Sequence, residues 1–288
     1  MTQPFRIGVP SKGRLSDLAG ELLNQAGLRF RRQDRSLFAR IKAFGEGDQP
    51  VEAAFLRTDD IPTLCAEGAI DLGITGSDLV AESGAELTTR LSLGVGHCRL
   101  AVCVPEDSPV VQPKDLSGDR VATSFPTVTR NYLNAQGVTC HVVELSGSVE
   151  VMIALGVADA IVDLVETGST LAANKLRILD EIGQYETVVI QNPRRKSELA
   201  DRIVRRLEGV VIARAYSLLE YNVPEAKLAA AEEITPGFSS PTVNRLEKAG
   251  WCAVRAMVKR GEVIDIMERL EALGAEAVLE TAINNCRL

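Results

Sequence analysis

Short apolar runs alternate with stretches in which apolar residues recur every three or four positions, and this rhythm holds over the first 190 residues. Phe5-Arg6-Ile7-Gly8-Val9 reads as a strand. After the polar turn Ser11-Lys12-Gly13-Arg14, Leu15, Leu18, Leu22 and Leu23 share one helical face. Residues 51–56 form a second predicted strand, and Thr58-Asp59-Asp60 can cap a helix that ends near Gly68. A strand over 70–75 runs into Gly76-Ser77-Asp78, which opens the next helix. Strands follow over 99–104 and 120–124, then a helix over 127–136 closed by Gly137, then a strand over 139–145. Alternating strands and helices predict parallel sheets with helices on both faces.

The chain echoes itself once. Gly68-Ala69-Ile70-Asp71-Leu72-Gly73-Ile74 aligns without gaps on Gly156-Val157-Ala158-Asp159-Ala160-Ile161-Val162. Each copy follows a helix and leads into a strand with a polar turn after it. The echo predicts two similar α/β lobes facing a cleft, as in periplasmic-binding-protein-like folds.

Beyond residue 190 the rhythm changes. A helix carrying Leu199, Ile203 and Leu207 leads to a strand around 216–221 and an alanine-rich helix over 225–233. After Thr235-Pro236-Gly237-Phe238-Ser239-Ser240-Pro241 a short strand can begin, and residues 251–258 form a clear one. Ile264, Met267, Leu270 and Leu273 mark a helix closed by Gly274, and a last strand covers 277–283. The order βαββαβ is the ferredoxin-like (ACT-like) plan. The expected divisions are a first lobe over 1–95 and 186–212, a second over 96–185, and a C-terminal module over 213–288.

Composition narrows the setting. A chain of 288 residues exceeds one ordinary domain, and 45% hydrophobic with 25% charged residues is globular usage. A net charge of −7 argues against binding nucleic acid through bulk charge, while leaving room for a small anion at a local basic cluster. No apolar run reaches the ~18 residues of a membrane span. Met1-Thr2-Gln3-Pro4-Phe5-Arg6 lacks the apolar core of a signal peptide, so a cytoplasmic location is expected. Cys65, Cys98, Cys103, Cys140, Cys252 and Cys286 show no CxxC spacing, and His97 and His141 are the only histidines. That pattern reads as reduced thiols and offers little for a zinc site.

The segment over 150–171 carries the chemistry. The apolar strand Ala160-Ile161-Val162 leads through Asp163 and Leu164-Val165 into Glu166-Thr167-Gly168-Ser169-Thr170, with a helix starting at Leu171. A small hydroxyl-rich turn before a helix N-terminus is an anion pocket, because backbone N–H groups and hydroxyls converge there. Asp163 and Glu166 can accept hydrogen bonds from the vicinal hydroxyls of a sugar. The ligand described is a phosphate plus a ribose; the competing reading is an ordinary helix cap by Thr167 or Ser169. Lys12 and Arg14 after the first strand, and Arg57 after another, add positive charge where ligands of open α/β sheets bind. Arg99 is a weaker addition, and His97 reads as a turn or core residue.

These residues resemble a family. Glu150, Gly156, Ala158, Ile161, Asp163, Leu164, Thr167, Gly168, Thr170 and Leu171 match the signature of ATP phosphoribosyltransferases. Pro10-Ser11-Lys12-Gly13-Arg14-Leu15, Arg57-Thr58-Asp59-Asp60-Ile61-Pro62 and Asp71-Leu72-Gly73-Ile74-Thr75-Gly76 are similar to further family segments. The resemblance spans essentially the whole chain, and the C-terminal module makes it similar to the long, histidine-regulated form. It implies the first step of histidine biosynthesis: ATP and phosphoribosyl pyrophosphate (PRPP) give N1-phosphoribosyl-ATP and pyrophosphate. It implies Mg²⁺ on the substrate phosphates rather than on protein ligands, and a homo-oligomer built from dimers up to a hexamer.

On that resemblance, Asp163, Glu166, Thr167, Gly168, Ser169 and Thr170 bind PRPP. Lys12, Gly13, Arg14, Arg57, Asp71 and Thr75 face ATP, and Lys12, Arg14 and Asp163 carry the catalytic roles. Asn222, Phe238 and Thr242 are the candidate contacts for histidine as inhibitor. Family members often have an aspartate where Asn222 stands, which would suit the ligand's ammonium group better. The rival class is a non-enzymatic two-lobed binding protein with an effector module. A phosphoribosyltransferase acting on another base is a further option.

Overall fold

The computed structural model describes residues 3–33, 36–42 and 49–287, so Met1 and Thr2 of the N-terminal segment lie outside the described residues. The chain divides into two compact units, one of residues 1–21 with 29–204 and one of 22–28 with 205–288.

The first unit holds two sheets. One contains β1 (Phe5–Pro10), β2 (Phe38–Ile41), β3 (Val51–Leu56), β4 (Leu72–Gly76), β5 (Thr88–Ser92) and β11 (Thr187–Gln191) in the order β2-β3-β1-β4-β11-β5. Its helices are α1 (Arg14–Gln25), α2 (Asp60–Ala66) and α3 (Ser77–Ser83). The other contains β6 (Cys98–Pro105), β7 (Arg120–Thr123), β8 (His141–Glu144), β9 (Ala160–Val165) and β10 (Leu176–Tyr185) in the order β10-β6-β9-β7-β8. With it come α4 (Pro126–Ala135), α5 (Val151–Ala154) and α6 (Ser169–Ala173). Central strands are apolar at nearly every position because both faces are covered. Ile7, Val9, Leu72 and Ile74 are buried in the first sheet, and Leu100, Val102, Ala160 and Val162 in the second.

Neither sheet is purely parallel, which corrects the expectation from alternation. In the first, β3, β1 and β4 are parallel, but β2 and β11 run antiparallel to their neighbours. In the second, β9, β7 and β8 are parallel, whereas β6 is antiparallel to both β9 and β10. The chain passes between the sheets twice, after β5 and after β10, and a strand that returns from the other lobe enters against the local direction. The two crossings lie side by side: Thr187 N donates to Val95 O at 2.9 Å and Leu93 N to Thr187 O at 3.0 Å. Glu186 accepts from Gly94 N at 3.1 Å and from the Ser92 hydroxyl.

The internal echo is a repeated device. Gly68 and Gly156 both take positive φ, 73° and 66°, and their N–H groups close α2 and α5 by bonding Cys65 O and Ile153 O, each at 3.0 Å. Three residues later Asp71 and Asp159 each bond the neighbouring parallel strand in both directions. Asp71 N donates to Arg6 O at 2.9 Å while its carboxylate accepts from Arg6 N at 2.8 Å. Asp159 N donates to Arg120 O at 2.8 Å while its carboxylate accepts from Arg120 N at 3.0 Å. An arginine completes each corner, Arg195 on Asp71 and Gly68 O, Arg120 on Asp159 and Gly156 O.

In the second unit α7 (Glu198–Ala215), which starts in the first, leads into β12 (Tyr216–Pro224), α8 (Leu228–Ile234), β13 (Thr242–Arg245), β14 (Trp251–Lys259), α9 (Val263–Leu273) and β15 (Glu276–Ala282). This is βαββαβ, with an all-antiparallel sheet in the order β13-β14-β12-β15. Alternation along β12 and β14 sends Leu219, Tyr221, Val223, Cys252, Val254 and Val258 into a core with Val263, Ile266 and Leu270. Thr235 is fully buried, with its hydroxyl 2.7 Å from Tyr221 Oη and 3.1 Å from Ala231 O, so it closes α8. All six cysteines are free thiols, three of them buried. Among the described residues no helix is long and apolar enough to cross a membrane.

Candidate active site

The turn after β9 forms a pocket of about 280 Å³ lined by Glu150, Asp163, Glu166, Thr167, Gly168, Ser169 and Thr170 together with flanking apolar residues. Gly168 stands at φ 79°, a conformation that suits a residue without Cβ, and turns the strand into α6. No side chain caps α6. The Thr167 and Ser169 hydroxyls pair with each other at 3.0 Å, and Ser169 N lies 3.5 Å from Thr167 Oγ1, at the limit of a hydrogen bond. The Thr167, Ser169 and Thr170 hydroxyls are exposed and line the pocket, and the long Ser169 N–Thr167 Oγ1 contact is the one local cap-type bond among these residues. With only five residues, α6 carries a small dipole, so N–H and hydroxyl donors do the recognising.

Asp163 sits half-buried on β9, opposite Ala101 of β6, and accepts from Leu164 N at 2.8 Å. Burial pushes its carboxyl above the usual range, the Leu164 N–H opposes this, and nearby Glu150 adds to the rise. No cation pairs with Asp163 among the described residues, so a ligand's hydroxyls could complete its hydrogen bonds.

The basic turns lie at the carboxyl ends of β1 and β3. Ser11 N is held by Leu56 O at 2.7 Å, and Gly13 at φ 77° starts α1, its carbonyl accepting from Ser16 N at 3.0 Å. Lys12, Arg14 and Arg57 are exposed. The sequence reading missed Arg32, which donates to Ser11 O at 2.9 Å and stacks over the Phe55 ring at 4.1 Å. It arrives from a distant segment, so no local pattern could place it here.

Arg14 joins the two halves of the site. Its guanidinium meets both carboxylate oxygens of Glu166, at 2.7 and 3.0 Å, and the bond holds the already high Arg14 pKa higher still. Between the lobes a cleft of about 760 Å³ is lined by Arg14, Glu166, His97, Thr58, Gly76, Asp78 and Thr187, with apolar walls from Leu15, Leu18, Leu79 and Val95. His97 is an exposed residue of this cleft, not a core one. Arg99 points instead to Glu181 at 3.6 Å.

Two residues expected to face ATP are bonded within the protein. Asp71 is at the amino end of β4, spent on the Arg6 backbone and Arg195. Thr75 is fully buried and donates to Thr58 O at 3.2 Å, so it shapes the turn before α2 from behind. In the C-terminal module Asn222 and Thr242 lie on the sheet face opposite the helices, in register with Ala253 and Arg255. Phe238 packs edge-on against Tyr216, ring centroids 5.7 Å apart. Tyr216 is six residues from Asn222 along β12, about 20 Å at the rise of a strand, so one histidine cannot span both within one chain.

The first unit is thus two-lobed and α/β, with a hydroxyl-rich turn at one side of its cleft and basic turns at the other. Residues 57–209 match the family model described as ATP phosphoribosyltransferase, and residues 213–285 match that of the HisG C-terminal domain. An ATP phosphoribosyltransferase of Rhodopirellula baltica is 63% identical over 99% of this chain and 94% of its own. That of Saccharopolyspora erythraea is 42% identical over 99% and 100%. A chain of the Thermotoga maritima ATP phosphoribosyl transferase HisG:HisZ complex superposes with a TM-score of 0.62 at 31% identity, covering 72% of this chain and 98% of that one. The chain belongs to the ATP phosphoribosyltransferase family, in the form that carries the C-terminal domain. It is a pentosyltransferase, and the rival reading as a non-enzymatic binding protein is set aside.

Proposed function

We propose that the cleft joins ATP to PRPP, with the turn over 167–170 on the 5′-phosphate, Asp163 on the ribose hydroxyls, and Lys12, Arg14, Arg57 and Arg32 on the polyphosphates. The observation that carries this reading is the pocket in which Asp163 and the uncapped donors of Thr167, Gly168, Ser169 and Thr170 converge. The adenine N1 lone pair attacks C1 of the ribosyl group as the C1–O bond to pyrophosphate breaks. That nitrogen carries no proton to be removed first, so positioning and charge stabilisation supply the rate. Mg²⁺ enters as part of the substrate, on its pyrophosphate. The experiment is pyrophosphate release from ATP and PRPP. Thr170→Val should raise KM for PRPP about 10- to 150-fold, the worth of one hydrogen bond to a charged group, with KM for ATP little changed. An unchanged KM for PRPP would remove this turn from the site.

The C-terminal module is proposed to take histidine as a feedback inhibitor. Its open face carries a hollow of about 240 Å³ lined by Glu220, Asn222, Asn244 and Arg255, with Arg255 donating to Glu220 at 2.6 Å. Opposite charges in one small hollow fit the zwitterion of an amino acid. Thr242, directly across from Arg255, belongs to the same face.

A further inference from the structure

Asp78 is a buried carboxyl that neither the anion turn nor the basic turns account for. It is 7% exposed, yet it lines the cleft beside Leu15, Leu18, Leu79 and Val95. No ion pair with a cation reaches it among the described residues; its partners are the backbone N–H groups of Leu79 and of Asp78 itself. Its charged neighbour is another acid, Asp59, and the adjacent Cys98 and Tyr185 are neutral groups whose pKa values are raised by burial first and by Asp78 second. The backbone makes room for it: a Cβ on Gly76 would clash with Asp78 Oδ1, so the glycine keeps the carboxyl folded against the cleft wall. A buried carboxyl without a cation is costly, and its presence on an apolar wall points to a ligand that brings N–H donors.

We infer that Asp78 reads the exocyclic amine of the adenine base, selecting adenine over 6-oxo purines and supporting attack by the neighbouring N1. The inference rests on the reading of the cleft as the ATP site. A flat heterocycle fits between Leu15, Leu18, Leu79 and Val95, and of the purine donors only the 6-amine adjoins N1. A 6-oxo group would bring an acceptor against the carboxylate, a repulsive contact. In the reaction the N1 lone pair forms the N1–C1 bond and the C1–O electron pair leaves with pyrophosphate. Positive charge then spreads over N1, C6 and the exocyclic nitrogen, and no proton moves to Asp78 in this step. A carboxylate accepting from that N–H binds the transition state more tightly than the ground state.

The test compares ATP with purine riboside triphosphate, which keeps N1 and lacks only the amine. Wild-type enzyme should prefer ATP in kcat/KM by about 10- to 150-fold or more, the worth of a hydrogen bond to a charged group plus the weaker nucleophile. Asp78→Leu should shrink that preference about tenfold or more, and Asp78→Asn, which keeps an acceptor oxygen, by less, with KM for PRPP unchanged. A ratio of two substrates on one sample does not depend on how much of a variant folds. An equal preference in wild type and both variants overturns the inference, as does wild-type enzyme that uses both nucleotides equally well. Pyrophosphate release by wild type from ATP and PRPP stands apart from these comparisons, so absence of that activity, by contrast, overturns the reading of the cleft.

Discussion

Asp163 shows at the residue scale how the site trades stability for binding. Its folded pKa is raised by burial, so the folded state favours the protonated acid. The stability this gives is full below the unfolded pKa and is lost as pH rises through the folded one. Wild type is therefore held below its own maximum near neutrality, where the carboxylate must be charged to accept from ribose hydroxyls. Asp163→Asn should melt higher than wild type at pH 7, and the difference should vanish toward acid. It should keep measurable turnover with weakened PRPP binding, because one acceptor oxygen remains, whereas Asp163→Ala should lose far more. Melting curves from pH 4 to pH 8 and KM for PRPP check both halves. Equal melting temperatures across that range would mean that the buried charge costs nothing. Asp163 and the turn beyond it were legible in the sequence because strand, carboxylate, hydroxyls and helix start lie within a dozen residues. At Asp71 the same local pattern, helix–glycine–aspartate–strand, serves a corner at the amino end of β4, bonded to the Arg6 backbone and Arg195. The aligned Asp159 holds the backbone and side chain of Arg120 in the other lobe, and the shared role of the two aspartates became visible only with the neighbouring strands in place.

Between elements, an exposed ion pair, Arg14 with Glu166, links α1 to the turn before α6. Both side chains are largely in water, so the pair contributes little to stability. What it does is keep Arg14 engaged until an anion arrives. Arg14→Ala should leave the melting temperature unchanged and raise KM for ATP, PRPP or both. Glu166→Gln should free the guanidinium and leave KM for ATP unchanged or lower it. A large fall in melting temperature for either variant would make the pair structural. The corner aspartate behaves oppositely. Asp71→Ala removes a carboxylate that is 14% exposed and bound to Arg6 N and Arg195, at a cost of about 1.5–3 kcal/mol. It should lower the melting temperature by several degrees with both KM values unaltered. Element order in the parallel parts followed from periodicity, and the helix closed by Gly274 ends where a left-handed residue was expected. The antiparallel strands β6 and β11 were not legible as such. Strand direction is set by which lobe the chain returns from, and no local pattern records that.

For the whole molecule, the regulatory reading depends on how the C-terminal module is joined to the rest. Deleting everything after residue 212 would cut α7, which runs from Glu198 to Ala215, and the compact unit holding the module begins at 205 and includes 22–28. Truncation would therefore damage more than the module, and point changes on its open face are the cleaner probe. Asn222 and Thr242 share that face with the Glu220–Arg255 pair, while Phe238 lies at the other end of β12. The periodic signal that revealed the module could not show this separation, because it depends on strand pairing across the sheet. Coupling between separate sites typically amounts to about 1–3 kcal/mol, a 5- to 150-fold effect on affinity. Millimolar histidine should accordingly inhibit the full chain. Asn222→Leu or Thr242→Val should raise the histidine concentration needed about tenfold without changing kcat/KM in its absence, whereas Phe238→Ala should do less. Calorimetry should show histidine binding to wild type and weakened binding to the first two variants. Inhibition that competes directly with PRPP and ignores all three substitutions would move the histidine site into the catalytic cleft.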